Sequence, residues 1–150
     1  MNGRVLLVDD DQVFRDSLAQ AFELEGLQVS AFAQPASVLA HISRDEVAVL
    51  VSDVRMPKMD GEQLLTTVRE LDPDFPVILL TGHGDVPMAV RSLQNGAMSF
   101  HEKPVNAKTV AVDCRRALKH REVVVSSRQL ARQLAQLLLS LAQRPVLLLP

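Results

Sequence analysis

Short apolar segments alternate with helical segments along the first hundred residues of the chain. The clearest is residues 5–8, a continuous apolar run that stops at three consecutive aspartates, which is typical of a strand buried on both faces of a sheet. Residues 28–32, 47–52, 77–80 and 99–102 read as strands in the same way. Because parallel strands need crossover connections, which are nearly always right-handed and helical, this alternation predicts a five-stranded parallel sheet with helices on both faces.

The predicted helices are marked by their apolar spacing and by their end signals. Five apolar residues recur at helical spacing in the first of them: Phe14, Leu18, Ala21, Phe22 and Leu24. Gly26 closes this helix. Further helices are predicted at 35–43, where a proline stands at the start, at 61–71 and at 87–95. A last helix begins at residue 107, and its pattern continues toward residue 141.

Composition bounds the class of protein. A chain of 150 residues with 47% hydrophobic content fits one globular domain with a short appendage. A net charge of −2 argues against a nucleic-acid-binding surface on this segment. The single cysteine, Cys114, cannot form an internal disulfide and reads as a buried structural thiol. With no apolar stretch of membrane-spanning length and no secretory signal, we expect a cytoplasmic location and no membrane contact.

The polar residues that end the predicted strands are the candidates for chemistry, because ligands of doubly wound sheets bind beyond the carboxyl ends of the strands. They are Asp9 and Asp10, Asp53, Thr81 and Lys103. Three converging carboxylates repel one another unless a cation offsets their charge, and Mg²⁺ is the hard ion that suits a shallow oxygen-ligand site. Asp10, Asp53 and one backbone carbonyl just after Asp53 could supply the protein ligands.

Asp53 is also a candidate nucleophile. A carboxylate can attack phosphorus and form an acyl phosphate, and Mg²⁺ together with the Lys103 ammonium would stabilise the charged oxygens of the transition state. Each residue alone has a structural interpretation, since a strand-end aspartate or threonine commonly caps a helix or turn and a lysine is usually a solvated charge. Their joint placement favours the functional interpretation.

The spacing of these strand-end residues resembles that of response-regulator receiver domains. The segment 53–61, Asp-Val-Arg-Met-Pro-Lys-Met-Asp-Gly, is similar to the signature that follows the acceptor aspartate in that family. The resemblance covers residues 4 to about 120. It implies a flavodoxin-like (βα)5 fold and a two-component phosphorylation switch, not an enzyme, that receives its phosphoryl group from a sensor histidine kinase.

The resemblance also implies a role for each matching residue. Asp53 is the phosphoacceptor, Asp9 and Asp10 form the acidic pocket, and Mg²⁺ is bound by Asp10, Asp53 and the backbone carbonyl of Arg55. The remaining matches are the phosphoryl-contact and switch residues Thr81, Lys103 and Phe100, and Pro104, which would follow a cis peptide bond.

Three aromatic or histidine positions keep alternative interpretations. Phe100 could be a plain core residue, because its side chain is apolar. His83 would flank the phosphate and tune its hydrolysis, or is an exposed loop histidine. His101 could lie at the surface or on the switch face, and the sequence does not decide between them.

Beyond residue 120, apolar residues recur at coiled-coil spacing: Val123, Leu130, Leu134, Leu137 and Leu141. Ser127 interrupts this seam. The pattern predicts a two-stranded dimer helix, with a helix that packs on its own domain as the alternative. We therefore expect a receiver domain at 1–120, a helical coiled-coil-like linker at 121–144 and the start of an interdomain linker at 145–150.

The linker resembles that of enhancer-binding transcriptional activators, particularly the C4-dicarboxylate transport regulators. This implies AAA+ ATPase and DNA-binding output domains, which the segment lacks, since it has neither a phosphate-binding Walker motif nor a basic recognition helix. Three alternatives remain: a regulator with a simple helix-turn-helix output, a purely structural dimerisation module, and a phosphatase of the haloacid dehalogenase type. The last would need an acid at position 55, where the chain has Arg55.

Overall fold

The computed structural model of the chain describes residues 3–82 and 84–145. Within these residues, strands and helices alternate strictly. The strands are β1 (Arg4–Val8), β2 (Gln28–Phe32), β3 (Ala48–Asp53), β4 (Val77–Thr81) and β5 (Ser99–Glu102). The helices are α1 (Gln12–Leu24), α2 (Pro35–Leu39), α3 (Gly61–Leu71), α4 (Val86–Gln94) and α5 (Ala107–Ala142).

The five strands form one parallel sheet in the order β2-β1-β3-β4-β5, which confirms the predicted fold class. Strand β1 lies between β2 and β3, so that Val5 has Val29 on one side and Val49 on the other. From β1 the chain adds β2 on one side of the sheet and then β3, β4 and β5 on the other side. The switch in strand order therefore lies between β1 and β3, and doubly wound sheets bind their ligands at the carboxyl ends of the strands beside this switch.

Each face of the sheet carries its own hydrophobic core. On one face, Leu18 and Phe22 of α1 and the first turns of α5 pack against the sheet. On the other face, Leu64, Leu65 and Val68 of α3 pack with Val38 of α2. Strands β3 and β4 are buried along their whole length, as their continuous apolar sequence predicted.

The structure corrects the predicted helices in three places. Helix α2 ends at Leu39, not at residue 43, because Ile42 bonds back to Leu39 in a tight turn. Leu24 is 83% exposed, so it lies off the packed face of α1. Helix α4 begins and ends one residue earlier than predicted.

Helix α5 has 36 residues, which corresponds to a length of about 54 Å at the standard helical rise. The predicted continuation toward residue 141 is therefore confirmed. The last residue of α5 that is buried is Val125, and its later leucines are exposed. Among the described residues, no helix is long and apolar enough to cross a membrane.

Gly61, the first residue of α3, lies against the backbone at the carboxyl end of β3. A Cβ at this position would lie 2.7 Å from the carbonyl oxygen of Asp53 and 2.9 Å from the Cα of Val54. Both neighbours are backbone atoms that can move only with β3 itself.

We predict that Gly61→Ala lowers the free energy of unfolding by about 1–3 kcal/mol through this overpacking. Urea denaturation would measure it. Gly82→Ala is the matched control, because its Cβ would meet only the Asp85 side chain at 3.6 Å. A Gly61→Ala variant as stable as the control would contradict the close approach.

Candidate functional site

Three aspartates meet beyond the carboxyl ends of β1 and β3. Asp53 is the last residue of β3, and Asp9 and Asp10 follow β1 directly. One carboxylate oxygen from each lies within 4.8 Å of the others. Asp9 is fully buried and Asp53 is 7% exposed, whereas Asp10 is exposed. This set of oxygen ligands, open on one side, fits a divalent hard cation such as Mg²⁺.

The third aspartate of the run, Asp11, has a different function in the fold. It is the N-cap of α1, and its carboxylate accepts a hydrogen bond from the backbone N–H of Phe14 at 3.2 Å. The strand-end acids thus divide between a helix cap and the acidic cluster.

Lys103 follows β5 and reaches the acidic cluster. Its Nζ lies 3.1 Å from Oδ2 of Asp9 and 3.5 Å from Oδ2 of Asp53, and 4.0 Å from the centre of the Phe14 ring. The Lys103–Pro104 peptide bond is cis. One ammonium group therefore contacts both buried carboxylates, which offsets part of their mutual repulsion.

The pKa of the Asp53 carboxyl is raised. Burial raises this pKa from the ordinary 3.8 to about 6. The Lys103 charge lowers the pKa and the Asp9 charge raises it, but the effect of burial is larger than either. The backbone N–H of Arg55 donates to this carboxylate and acts in the opposite direction. A cation near Asp53 would favour its charged form.

Thr81 and Phe100 lie on neighbouring strands beside this cluster. Thr81 ends β4 and is fully buried, and its hydroxyl donates to the carbonyl of Gly82 at 3.2 Å. Phe100 lies on β5 opposite Leu79 of β4 and is partly buried against the core on the α3 face of the sheet. The Thr81 hydroxyl is thus bonded within its own loop and not to the acids.

The loop after β3 contacts the loop after β4 through an ion pair that the sequence did not predict. Nε and Nη2 of Arg55 each lie 2.7 Å from Oδ1 of Asp85, and the Arg55 side chain is mostly exposed. This guanidinium spans the gap between the acceptor loop and the segment that leads into α4.

His101, which the sequence left undecided, faces α5. Its Nε2 lies 2.7 Å from Oδ2 of Asp113, and the Ser99 hydroxyl donates to the same oxygen at 3.1 Å. His83 lies outside the described residues. The predicted seam residues of α5 are all exposed and lie apart from the acidic cluster: Val123, Leu130, Leu134, Leu137 and Leu141.

Fold and site together define a doubly wound domain that gathers three carboxylates and one lysine at the carboxyl ends of its strands. Residues 5–115 match the family described as the response regulator receiver domain. The chain therefore belongs to the response regulator receiver family, as the strand-end motif and the segment 53–61 indicated.

Known proteins with similar sequences or structures include transcriptional and response regulators. The chain is 45% identical over 128 residues to the C4-dicarboxylate transport transcriptional regulatory protein DctD of Rhizobium meliloti, a match to 85% of this chain and 28% of that protein. It is 34% identical over 142 residues to the transcriptional regulatory protein FixJ of Bradyrhizobium diazoefficiens, a match to 95% of this chain and 69% of FixJ. The structure of the response regulator StyR is similar with a TM-score of 0.84 and 30% identity, over 93% of this chain and 71% of StyR.

These matches confirm the resemblance to receiver domains of two-component transcriptional regulators, including the C4-dicarboxylate transport type. The chain spans less than a third of the length of DctD.

The raised pKa of Asp53 predicts how stability changes with pH in the absence of metal. Because the folded chain holds this proton more tightly than the unfolded chain, the free energy of unfolding falls as pH rises from 3.8 to about 6. At pH 7.5 in EDTA, Asp53→Asn should be more stable than the wild type by up to about 3 kcal/mol, and the difference should shrink toward pH 4.

Urea denaturation at both pH values measures this difference. The same substitution at the exposed Asp16 should change stability by no more than about 0.5 kcal/mol. If the wild type is as stable as Asp53→Asn at pH 7.5, the charged Asp53 carboxylate does not lower the free energy of unfolding, and the prediction is wrong.

Proposed function

We propose that this chain is a phosphorylation switch in which Asp53 accepts a phosphoryl group from a sensor histidine kinase. The observation that carries the proposal is the contact of Lys103 Nζ with both Asp53 and Asp9, at 3.5 and 3.1 Å. It places a cation beside the carboxylate that would attack, within reach of the charged equatorial oxygens of the phosphoryl group in the transition state.

The acidic cluster is the proposed Mg²⁺ site. Asp10 and Asp53 would hold the ion together with the backbone carbonyl of Arg55, and Asp9 would complete the acidic pocket. Bound Mg²⁺ would neutralise the phosphoryl oxygens and orient the donor. The donor set supports this assignment, since three carboxylate oxygens within 4.8 Å and open to solvent on the side of Asp10 suit a hydrated hard cation.

In the proposed transfer, an oxygen of Asp53 attacks the phosphorus and the bond between phosphorus and the kinase histidine nitrogen breaks. The histidine carries a proton on its other ring nitrogen, so it leaves as a neutral imidazole. Lys103 then pairs with the new phosphoryl group. The Thr81 hydroxyl would leave the Gly82 carbonyl to donate to a phosphoryl oxygen, and Phe100 would follow it. The burial of Thr81 at the end of β4, next to the loop that leads into α4, supports this role.

The proposed output is a change in a homodimer. The exposed apolar residues of α5 beyond Val125 are spaced as a coiled-coil seam, which supports pairing with a second copy. In the full-length protein, the switch would control AAA+ and DNA-binding domains in the cytoplasm, as the DctD resemblance suggests. A regulator with a simple helix-turn-helix output is the second candidate, and the similarity to the transcriptional regulatory protein FixJ over 142 residues supports it.

A haloacid dehalogenase-type phosphatase is disfavoured. That activity would need an acid at position 55, and the Arg55 guanidinium is paired with Asp85 instead. We propose no catalytic turnover beyond self-phosphorylation and self-dephosphorylation, and no nucleic-acid or membrane contact by this segment.

Phosphorylation of Asp53 is tested by incubating the chain with Mg²⁺ and acetyl phosphate and measuring intact mass. The wild type should gain one phosphoryl group, and Asp53→Asn should gain none. Lys103→Ala should lower the yield at least about tenfold, since it removes the cation that stabilises the transition state. Equal mass gain in wild type and Asp53→Asn would refute Asp53 as the acceptor.

Dimer formation through the seam is tested by sedimentation of a variant that carries both Leu134→Glu and Leu137→Glu. Two charges in a coiled-coil core should convert the chain to monomer at micromolar concentration. Leu139→Glu is the matched control, because Leu139 is 59% exposed, like the seam residues, but points to the other side of the helix. A dimer that survives the double substitution would contradict the seam.

A further inference from the structure

Helix α5 carries two different faces beyond residue 120. Arg121, Arg128 and Arg132 are spaced by seven and four residues, which places them on one side of the helix. The seam residues Val123 and Leu130 each follow an arginine by two positions, which turns them about 200° away. The arginine face is turned to the receiver domain, and the seam is turned away from it.

Asp72, the C-cap residue that follows α3, binds the arginine face. Its carboxylate is fully buried and lies 2.8 Å from Arg121 Nη1 through Oδ2. Arg128 binds the same carboxylate with two parallel hydrogen bonds of 2.8 Å, from Nη1 to Oδ2 and from Nη2 to Oδ1. Such a paired geometry is the strongest form of the arginine–carboxylate contact.

Arg121 is fully buried, yet all of its donors have acceptors. Besides Asp72, its guanidinium donates to the backbone carbonyls of Ser43, Arg44, Glu46 and Asp74 at 2.9 to 3.4 Å. These carbonyls belong to the loops before β3 and β4. The guanidinium also lies 4.8 Å from the Phe75 ring. A guanidinium has five N–H donors, and five acceptors surround this one.

The electrostatics of Asp72 agree with this geometry. Burial alone would raise its pKa, but hydrogen bonds from Arg128, from the backbone of Asp74 and from Arg121 hold the pKa well below its usual range. The carboxylate is therefore charged wherever the protein is folded near neutral pH. A buried charge of this kind is tolerated only while its partners stay in place.

We propose that Asp72 is a docking site for the linker helix: by binding Arg121 and Arg128 it fixes α5 on the receiver and turns the seam toward a second copy. This proposal rests on the proposed dimer. Asp72, Arg121 and Arg128 together are called the Asp72 clamp. The clamp makes the receiver and α5 up to residue 128 one rigid body, so the angle between two receivers in the dimer is set at this carboxylate.

Arg132 gives the clamp an internal control. It lies on the same face of α5 and pairs with Asp45 at 2.8 Å, but both side chains are more than half exposed. Such an exposed ion pair contributes little to the free energy of unfolding. A general effect of removing an arginine from this helix would appear in both Arg128→Gln and Arg132→Gln, whereas an effect of the clamp would appear in Arg128→Gln alone.

Amide hydrogen exchange of the whole chain, read by mass spectrometry, tests the clamp. Arg128→Gln keeps the buried Arg121–Asp72 pair and the fold, and should speed exchange in residues 122–132 by about tenfold or more, because hydrogen bonds to a charged group are lost. Exchange in residues 107–118 should not change, and Arg132→Gln should match the wild type. Unchanged exchange in Arg128→Gln, or an equal increase in both variants, would overturn the proposal.

Two further measurements separate the clamp from the proposed function. In the monomeric Leu134→Glu, Leu137→Glu variant, residues 121–128 should keep their slow exchange, and faster exchange there would show that the dimer and not Asp72 holds the helix. Phosphorylation by acetyl phosphate should be the same in Arg128→Gln and wild type. A wild type that takes up no phosphoryl group would refute the proposed switch and leave the exchange result standing.

Discussion

The contact of one lysine with two buried carboxylates is the constraint around which the site is arranged. Asp53 ends β3 and Asp9 follows β1, the neighbouring strand, and both of these strands are buried in the centre of the parallel sheet. Burial keeps the pKa of Asp53 raised, although the Lys103 charge lowers it by more than the Asp9 charge raises it. Lys103 alone therefore does not neutralise the carboxylates of the site, and a divalent cation such as Mg²⁺ suits the remaining negative charge.

Two loops at the same end of the sheet are held by contacts close to the acidic cluster. Arg55 and Asp85 connect the loop after β3 to the loop after β4, and the Thr81 hydroxyl is bonded to its own loop. A new anion on Asp53 would compete for the cations and hydrogen-bond donors that hold these loops. The opposite end of the domain is built differently: there, Asp72 holds α5 through charges that are fully paired. The domain thus holds its linker helix at one end through buried charges, whereas the ion pair between the loops at the other end is partly exposed.

Local patterns predicted the sheet and the acidic cluster. An apolar run that ends at a polar residue is visible within six or seven residues, and the parallel order of the strands then brings Asp9, Asp53 and Lys103 together. The Asp72–Arg121 and His101–Asp113 contacts were not predicted. No strand-end pattern brings these partners together, and each charged residue alone reads as a solvated surface group. The early end of α2 escaped prediction because propensity does not locate helix ends sharply.

The most direct test of the central claim is a crystal structure of the chain with Mg²⁺ and beryllofluoride, a stand-in for the phosphoryl group. The account predicts beryllium bonded to a carboxylate oxygen of Asp53, a fluorine in contact with Lys103 Nζ, and the Thr81 hydroxyl moved from the Gly82 carbonyl to a second fluorine. An unmodified Asp53, or a Thr81 hydroxyl still bonded to Gly82 beside a modified Asp53, would contradict it.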